Sequence, residues 1–116
     1  MKMPKPTQQD REFFESIVPD DPRVEVKPMF GNLGAFVNGN MFMGLFGSDI
    51  GIKLGDEDRE TLLSEEGAGP FGPEERPMGG YVALPAAWRS NREAVDLWVG
   101  KSLATVGALP PKKKKR

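Results

Sequence analysis

The sequence predicts a single α+β domain that contains an antiparallel sheet of about five strands and three helices. Three observations predict it. The spacing of apolar residues changes from helical to alternating near residue 23 and returns to helical after residue 90. Glycine- and asparagine-rich turn signals separate the apolar runs between those points. A chain of 116 residues with 38% hydrophobic and 28% charged side chains has the size and composition of one globular domain.

The first element is a helix over about residues 8–18. Thr7 is a suitable N-cap, and the proline at position 19 ends the helix because it cannot continue the hydrogen-bond ladder. Apolar side chains recur at helical spacing along one face, at Phe13, Phe14, Ile17 and Val18.

A meander of about four strands follows. Polar and apolar residues alternate after residue 23, and Asn38-Gly39 is a strong hairpin signal because a type I′ turn needs positive φ at both central residues. Residues 30–34, which include two glycines, are predicted as a turn. The predicted strands cover residues 23–27, 35–37, 40–46 and 50–54.

The second half of the chain contains two helices, a loop and one strand. Asp56 is a suitable cap for a helix over residues 57–66. The loop 67–80 is rich in glycine and proline, with Phe71 as its predicted anchor, and strand 81–84 follows. Ser90 is the predicted cap of the last helix, which ends near residue 106. The predicted order is therefore α-β-β-β-β-α-β-α.

Charge divides the chain into an acidic body and a basic end. The net charge is −1, but the last five residues are all basic, so residues 1–111 carry 11 basic and 17 acidic side chains, a net of −6. A body of that charge repels phosphates over a broad surface. We expect residues 1–6 to be a flexible N-terminus, 7–109 to be the domain and 110–116 to be a basic disordered tail.

The composition excludes several kinds of active site. The chain contains no His and no Cys, which removes disulfides, thiolate and imidazole metal sites, and nucleophiles that depend on histidine. The glycine-rich segments lack the strand–loop–helix setting of a phosphate-binding loop. We therefore predict no catalytic residue, no metal and no cofactor. No apolar run approaches the roughly 18 residues that a membrane span needs, so no membrane partner and a cytoplasmic location are expected.

Several short motifs follow one another along the chain. They are Lys27-Pro28-Met29-Phe30-Gly31, Phe36-Val37-Asn38-Gly39-Asn40-Met41, Ile52-Lys53-Leu54, Gly69-Pro70-Phe71, Arg76-Pro77-Met78, Tyr81, Pro85 and Trp98. Together they resemble the N-terminal domain of the TfoX/Sxy competence regulators over residues 12–110, and Pro28 and Asn32 depart from the commoner Lys-Met-Phe-Gly-Gly form. The resemblance implies a two-layer fold, an antiparallel sheet with helices packed on one face, similar to secretion-chaperone-like folds, and a regulatory role in transcription. We expect a stand-alone domain, without the C-terminal helical domain of the two-domain regulators.

Two features are candidate protein-interaction surfaces. Met29 and Phe30 lie at a strand corner and either pack in the core or project toward a partner. Strand 40–46 is apolar on both faces, with Met41, Met43 and Leu45 predicted on one face and Phe42, Gly44 and Phe46 on the other. Because helices cover only one face, the loop 67–80 or a symmetric dimer must cover the second. The candidate interaction residues are Met29, Phe30, Phe42 and Phe46.

Three hypotheses for function follow from these features. The first is a non-enzymatic regulatory adaptor that contacts an unidentified, transcription-related protein, while the tail makes weak, sequence-independent contact with nucleic acid. The second is a homodimeric protein-binding module whose tail is passive. The third is a small enzyme that uses Lys27, Lys53, Arg76 or Tyr81. The candidate nucleic-acid contacts are Lys112, Lys113, Lys114, Lys115 and Arg116.

Overall fold

The helices and strands follow the predicted order, with two short additions. A computed structural model of the chain describes residues 5–29, 31–73, 75 and 77–110. The additions are a two-residue strand after the second helix and a 3-10 helix, Ala86–Ser90, before the last helix. The helices are α1 (Gln8–Ile17), α2 (Asp56–Leu63) and α3 (Arg92–Gly107), and the strands are β1 (Val24–Met29), β2 (Asn32–Val37), β3 (Asn40–Phe46), β4 (Asp49–Lys53), β5 (Gly69–Pro70) and β6 (Tyr81–Ala83).

All strand pairs are antiparallel, which confirms the predicted α+β fold class. The order across the sheet is β1-β2-β3-β4-β6-β5, so the predicted meander forms the first four strands. In the described part of the chain the sheet has six strands, because β5 adds one short pair at the end, where Gly69 lies opposite Ala83. A two-residue strand is too short to show a sequence period.

One predicted turn is confirmed and another is too long. Asn38 (φ 53°) and Gly39 (φ 82°) both have positive φ, as the β2–β3 hairpin requires. The turn predicted over residues 30–34 is shorter, because β2 already begins at Asn32. Gly34 is a strand residue that pairs with Lys27 on one side and with Gly44 on the other. The prediction was wrong here because glycine in a strand is usually a sign of a break.

The predicted cap of the first helix is confirmed and that of the last is not. The Thr7 hydroxyl accepts a hydrogen bond from the Asp10 N–H, and the Asp10 carboxylate accepts one from the Thr7 N–H, which makes a capping box. Ser90 ends the 3-10 helix instead of capping α3. The N-cap is Asn91, whose side-chain oxygen accepts from the Ala94 N–H at 3.3 Å.

A β-bulge in β3 reverses the predicted orientation of two side chains. Ala35 lies opposite Met43, but Phe36 lies opposite Met41, so Phe42 is an extra residue in β3. A one-residue shift moves side chains to the opposite face of a sheet. Phe42 is therefore 0% exposed in the core beneath the helices, and the prediction that it lies on the second face with Phe46 is wrong.

The helices cover one face of the sheet, and the hydrophobic core lies between the helices and that face. Helix α3 packs across β3 and β4. The Ser102 hydroxyl, fully buried on α3, donates a 2.7 Å hydrogen bond to the carbonyl of Phe42 and so satisfies a polar group at the bulge. The fully buried core side chains on the sheet and helices include Phe14, Val37, Phe42, Met43, Ile52, Leu62, Val82 and Val106.

Arg89 joins three distant parts of the chain. Its guanidinium donates to the Asp10 carboxylate on α1 and to the carbonyl of Ser48 in the β3–β4 turn, both at 2.8 Å, and it lies 5.1 Å from the centre of the Phe13 ring. The hydrogen bond from the Thr7 N–H, together with Arg89, holds the pKa of the Asp10 carboxyl below its ordinary value. The hydrogen bonds of Arg89 to Asp10 and to Ser48 therefore hold α1 against the β3–β4 turn of the sheet.

The second face, opposite the helices, carries a row of residues without large side chains. Gly34, Gly44 and Gly51 lie directly opposite one another on β2, β3 and β4, and Ala83 of β6 continues the row. The ring of Phe71 lies on this row and is 2% exposed. A Cβ atom at Gly51 would be only 2.2 Å from Phe71 Cγ, so the backbone of β4 makes a close approach that only glycine allows.

We expect Gly51→Ala to lower the free energy of unfolding by about 1–3 kcal/mol, because the new methyl group would displace the Phe71 ring. Urea unfolding followed by the fluorescence of Trp88 and Trp98 measures the change. Gly69→Ala is the matched control. Gly69 is also a strand glycine, its φ is not in the left-handed region and no atom lies within 4 Å of the position that a methyl group would take there, so its effect should stay within about 0.5 kcal/mol.

A double-mutant cycle tests whether the Phe71 ring causes the loss of stability in Gly51→Ala. In a Phe71→Ala background the methyl group at position 51 has nothing to displace, so Gly51→Ala should become neutral or slightly stabilising. An equal loss of stability with and without the Phe71 ring would contradict the close-approach explanation.

Candidate functional site

The loop between β5 and β6 folds back over the second face. Its ends are joined by a hydrogen bond from the Met78 N–H to the Phe71 carbonyl at 2.8 Å. The Phe71 ring packs edge-on against Phe46, with 6.3 Å between centroids, and at a tilt against Tyr81, with 6.1 Å between centroids. The loop therefore covers part of the second face, as one of the two predicted alternatives required.

An open apolar cavity of about 220 Å³ remains between this loop and strands β1 to β3. Apolar side chains form most of its wall, and Gly44 of β3 also lines it. We call it the methionine pocket, because three of those side chains are methionines. It is lined by Met29, Asn32, Leu33, Met41, Gly44, Leu45, Phe46, Phe71, Pro73 and Met78.

Glycine in β2 lets two of the methionines approach the sheet. A Cβ atom at Gly34 would lie 3.0 Å from the sulfur atoms of both Met29 and Met41. Met41 reaches this face only because of the bulge that turns Phe42 into the core. Methionine is unbranched and polarizable, so a wall of this kind can adapt to groups of different shape.

The polar groups next to the pocket already have partners within the protein. The Asn32 side-chain oxygen accepts from the Gly47 N–H, and the Tyr81 hydroxyl donates to the Met41 carbonyl, both at 2.8 Å. Burial raises the pKa of Tyr81 to about 12, which keeps the phenol neutral. The pocket can therefore bind apolar groups, but these two side chains are occupied in holding the strands and the turn.

The structure describes three of the four predicted protein-interaction residues. Met29 and Phe46 both line the methionine pocket. Phe42 lies in the core and has no exposed surface. Phe30 and the tail 112–116 lie outside the residues that the structure describes.

Of the four residues of the enzyme hypothesis, the three that the structure describes do not converge on the pocket. The Lys27 ammonium lies 5.3 Å from the Phe36 ring centre and the Lys53 ammonium lies 5.8 Å from that of Tyr81. None of Lys27, Lys53 and Tyr81 is among the residues that line the cavity, and Arg76 is outside the described part of the chain. Within that part, no group of three or more acidic side chains is placed to hold a metal ion.

Three further hollows among the described residues are less suitable as binding sites. One beside Phe13 and Arg89 has about 20 Å³, little more than a water molecule occupies. Two wider depressions, one beside Glu65 and Glu66 and one beside Asp96, are open and have charged side chains on their rims. Among the helices of the described residues, none has the length and apolar character that crossing a membrane requires.

Sequence reasoning did not select eight of the ten lining residues as candidates, among them Met41, Phe71, Pro73 and Met78. Two of them carried a usable signal. Phe71 and Met78 are the large apolar side chains in a loop otherwise made of glycine, proline, alanine and charged residues, which indicates that the loop packs on something. Met41 carried no such signal, because a bulge is not visible in the alternation of residues.

Comparison with known proteins agrees with the motifs in the sequence. No individual curated protein is significantly similar to the chain. The profile of one family, described as the TfoX N-terminal domain, matches residues 13–106. That range includes strands β1 to β6, all of α2, half of α1 and most of α3. The chain therefore belongs to the TfoX N-terminal domain family.

Proposed function

We propose that this domain is a non-enzymatic regulatory adaptor that binds a partner protein by accepting one of its large apolar side chains into the methionine pocket. The observation that supports this most directly is the pocket itself, an apolar cavity of about 220 Å³ beside the loop between β5 and β6. Membership of the TfoX N-terminal domain family supports a regulatory role and a partner involved in transcription.

The size of the cavity favours a side chain as its occupant. An apolar cavity of about 150 Å³ is enough to bind benzene, whereas drug-sized ligands occupy pockets of roughly 300–1,000 Å³. At about 220 Å³, the methionine pocket fits one Phe or Leu side chain but not a nucleotide or a similar cofactor. Large apolar side chains that fill such pockets commonly dominate the energy of protein interfaces.

The chemistry of the lining also favours a protein partner. A small-molecule site usually has a few polar groups that orient the ligand. Here Asn32 and Tyr81 use their side chains in hydrogen bonds within the domain. Met29, Met41 and Met78 can adjust to the side chain that enters, as methionine-rich binding surfaces do.

Tyr81 is a poor candidate for catalysis. A tyrosine that acts as a base or nucleophile needs a lowered pKa, whereas burial raises the pKa of Tyr81 to about 12. Its hydroxyl donates to the Met41 carbonyl and so supports the pocket wall. This is why we favour an adaptor over the small enzyme among the three hypotheses.

The pocket can be tested with a small analogue of the partner side chain. We expect N-acetyl-phenylalaninamide to shift the methyl NMR signals of Met29, Met41 and Met78, since these groups line the cavity. Met43 is 0% exposed in the core and serves as the internal control, whose signal should not move. Equal shifts at all four methionines, or none, would contradict binding in the pocket.

The partner can be tested with matched charge substitutions. We expect Met29→Glu and Met78→Glu to lower the recovery of a transcription-related protein from cell extract at least about tenfold, because a carboxylate in an apolar pocket is strongly unfavourable. Leu97→Glu, at a side chain 57% exposed on α3, should retain full recovery. If every protein is recovered equally well with all three variants, the pocket is not the binding site.

We also propose that Lys112–Arg116 adds weak attachment to nucleic acid. Five basic residues that each neutralise a phosphate give a slope of log K against log salt of about −4.5 on duplex DNA. Deletion of residues 112–116 should abolish binding to a random-sequence duplex at low salt, measured by fluorescence anisotropy. Unchanged binding after the deletion would favour a passive tail.

The ionisation of Tyr81 can be measured directly because it is the single tyrosine of the chain. We expect absorbance at 295 nm to titrate near pH 12 in the folded protein and near pH 10 after unfolding. Because the folded pKa is the higher one, the stability from the neutral phenol is complete below about pH 10 and is lost as the pH rises toward 12. Tyr81→Phe should remove this loss, and a folded-state pKa near 10 would contradict the buried, hydrogen-bonded phenol.

A further inference from the structure

We propose that the outer edge of β1 pairs antiparallel with the same edge of a second copy of the chain, so that two domains share one continuous sheet. The proposal concerns a different surface from the methionine pocket and does not depend on the proposed function. Strand β1 is the outermost strand on its side of the sheet.

The backbone groups of the even-numbered residues in β1 point away from β2. Proline has no N–H, so Pro28 fits within the ladder only where its nitrogen faces away from the neighbouring strand. The N–H of Val24 donates to the carbonyl of Asp21 at 2.9 Å instead of to β2. Because this orientation alternates along a strand, Val26 directs its N–H and carbonyl outward as well.

The positions of these groups select one register. A two-fold pair centred on Val24 would lack a free N–H, and one centred on Pro28 has no N–H at all. A pair centred on Glu25 or on Lys27 would place like charges directly opposite each other, which is destabilising. Only a pair centred on Val26 has free donors and acceptors on both strands, and there each Val26 exchanges two hydrogen bonds with the partner's Val26.

In this register the charges of the edge complement themselves. Glu25 lies opposite the partner's Lys27, and Lys27 lies opposite the partner's Glu25, so that one dimer contains two opposite-charge cross-strand pairs. Within one chain the two side chains form an ion pair with 3.7 Å between Lys27 Nζ and Glu25 Oε1, and they remain 51% and 69% exposed, so each can also reach a charge on the partner. When two copies of β1 pair antiparallel in this register, each charge lies opposite a charge of the other sign. This complementarity favours a second copy of the chain over an unrelated strand.

An apolar contact lies at the centre of the same register. Val26 is 37% exposed and is one of the few exposed large apolar side chains of the described residues. The two-fold axis places it against the partner's Val26. Assembly ends at two copies, because the opposite edge of the sheet is the two-residue strand β5.

The dimer should be weak. A pair of six-residue strands buries less than the roughly 1,000 Å² of a stable interface, so we expect a Kd on the order of 0.1 mM. Sedimentation equilibrium of the full chain at up to about 1 mM measures it. A strict monomer over that range would overturn the proposal.

Charge exchange tests the register. Glu25→Lys and Lys27→Glu each place like charges opposite one another twice per dimer, and each should raise Kd at least about fivefold. The double variant E25K/K27E restores both opposite-charge pairs and should return Kd to that of the unchanged chain. A mixture of the two single variants should form a heterodimer at least as tight. If the Kd of the dimer does not change with these substitutions, another surface is responsible for dimerisation and the proposal is overturned.

A cysteine placed on the two-fold axis gives an independent test. The chain has no cysteine, so Val26→Cys introduces a single thiol. Cα atoms in a hydrogen-bonded antiparallel pair lie about 5.5 Å apart, within the range that a disulfide spans. V26C should oxidise to a covalent dimer at least about tenfold faster than Leu97→Cys, an exposed control on α3. Equal oxidation rates for the two variants would overturn the pairing.

Discussion

The contact of the Phe71 ring with the backbone of Gly51 is the constraint on which the second face depends. Burial of a phenylalanine side chain contributes about 1.5–3 kcal/mol to the free energy of folding. Here the ring of Phe71 is buried against β4 at a position where that strand has no side chain. The hydrogen bond between Phe71 and Met78 then closes the loop over the sheet. The wall of the methionine pocket therefore exists because β4 carries glycine where the ring lies.

The bulge in β3 is the second constraint, because it separates two adjacent side chains that regular alternation would place differently. Met41 faces the pocket and Phe42 faces the helices, where the Ser102 hydroxyl donates to the Phe42 carbonyl. One extra residue thus supplies the core with an aromatic ring and the opposite face with a thioether. Without it, the second face would carry an exposed phenylalanine and lose one pocket methionine.

The sequence was sufficient for the fold class and the order of the main elements, because these depend on local period and turn chemistry, as at Thr7 and Asn38-Gly39. Two of its candidate interaction residues, Met29 and Phe46, line the pocket, and their contact with a partner stays a prediction. It was insufficient where a residue's orientation depends on pairing between strands, as at Phe42, or where glycine serves a close approach instead of a turn, as at Gly34. Those features arise from contacts between segments, which local patterns do not contain.

The contacts of Arg89 have a consequence for the order in which the chain assembles. The four strands β1 to β4 are joined by short turns and need little loop closure, whereas Arg89 reaches Asp10 across 79 positions. We therefore expect the meander to form early and α1 to dock late, when the 3-10 helix that carries Arg89 is in place. By the same reasoning, α1 is the part of the domain that should detach first in partial unfolding, and it would uncover the Phe14 side of the core while the second face stays intact.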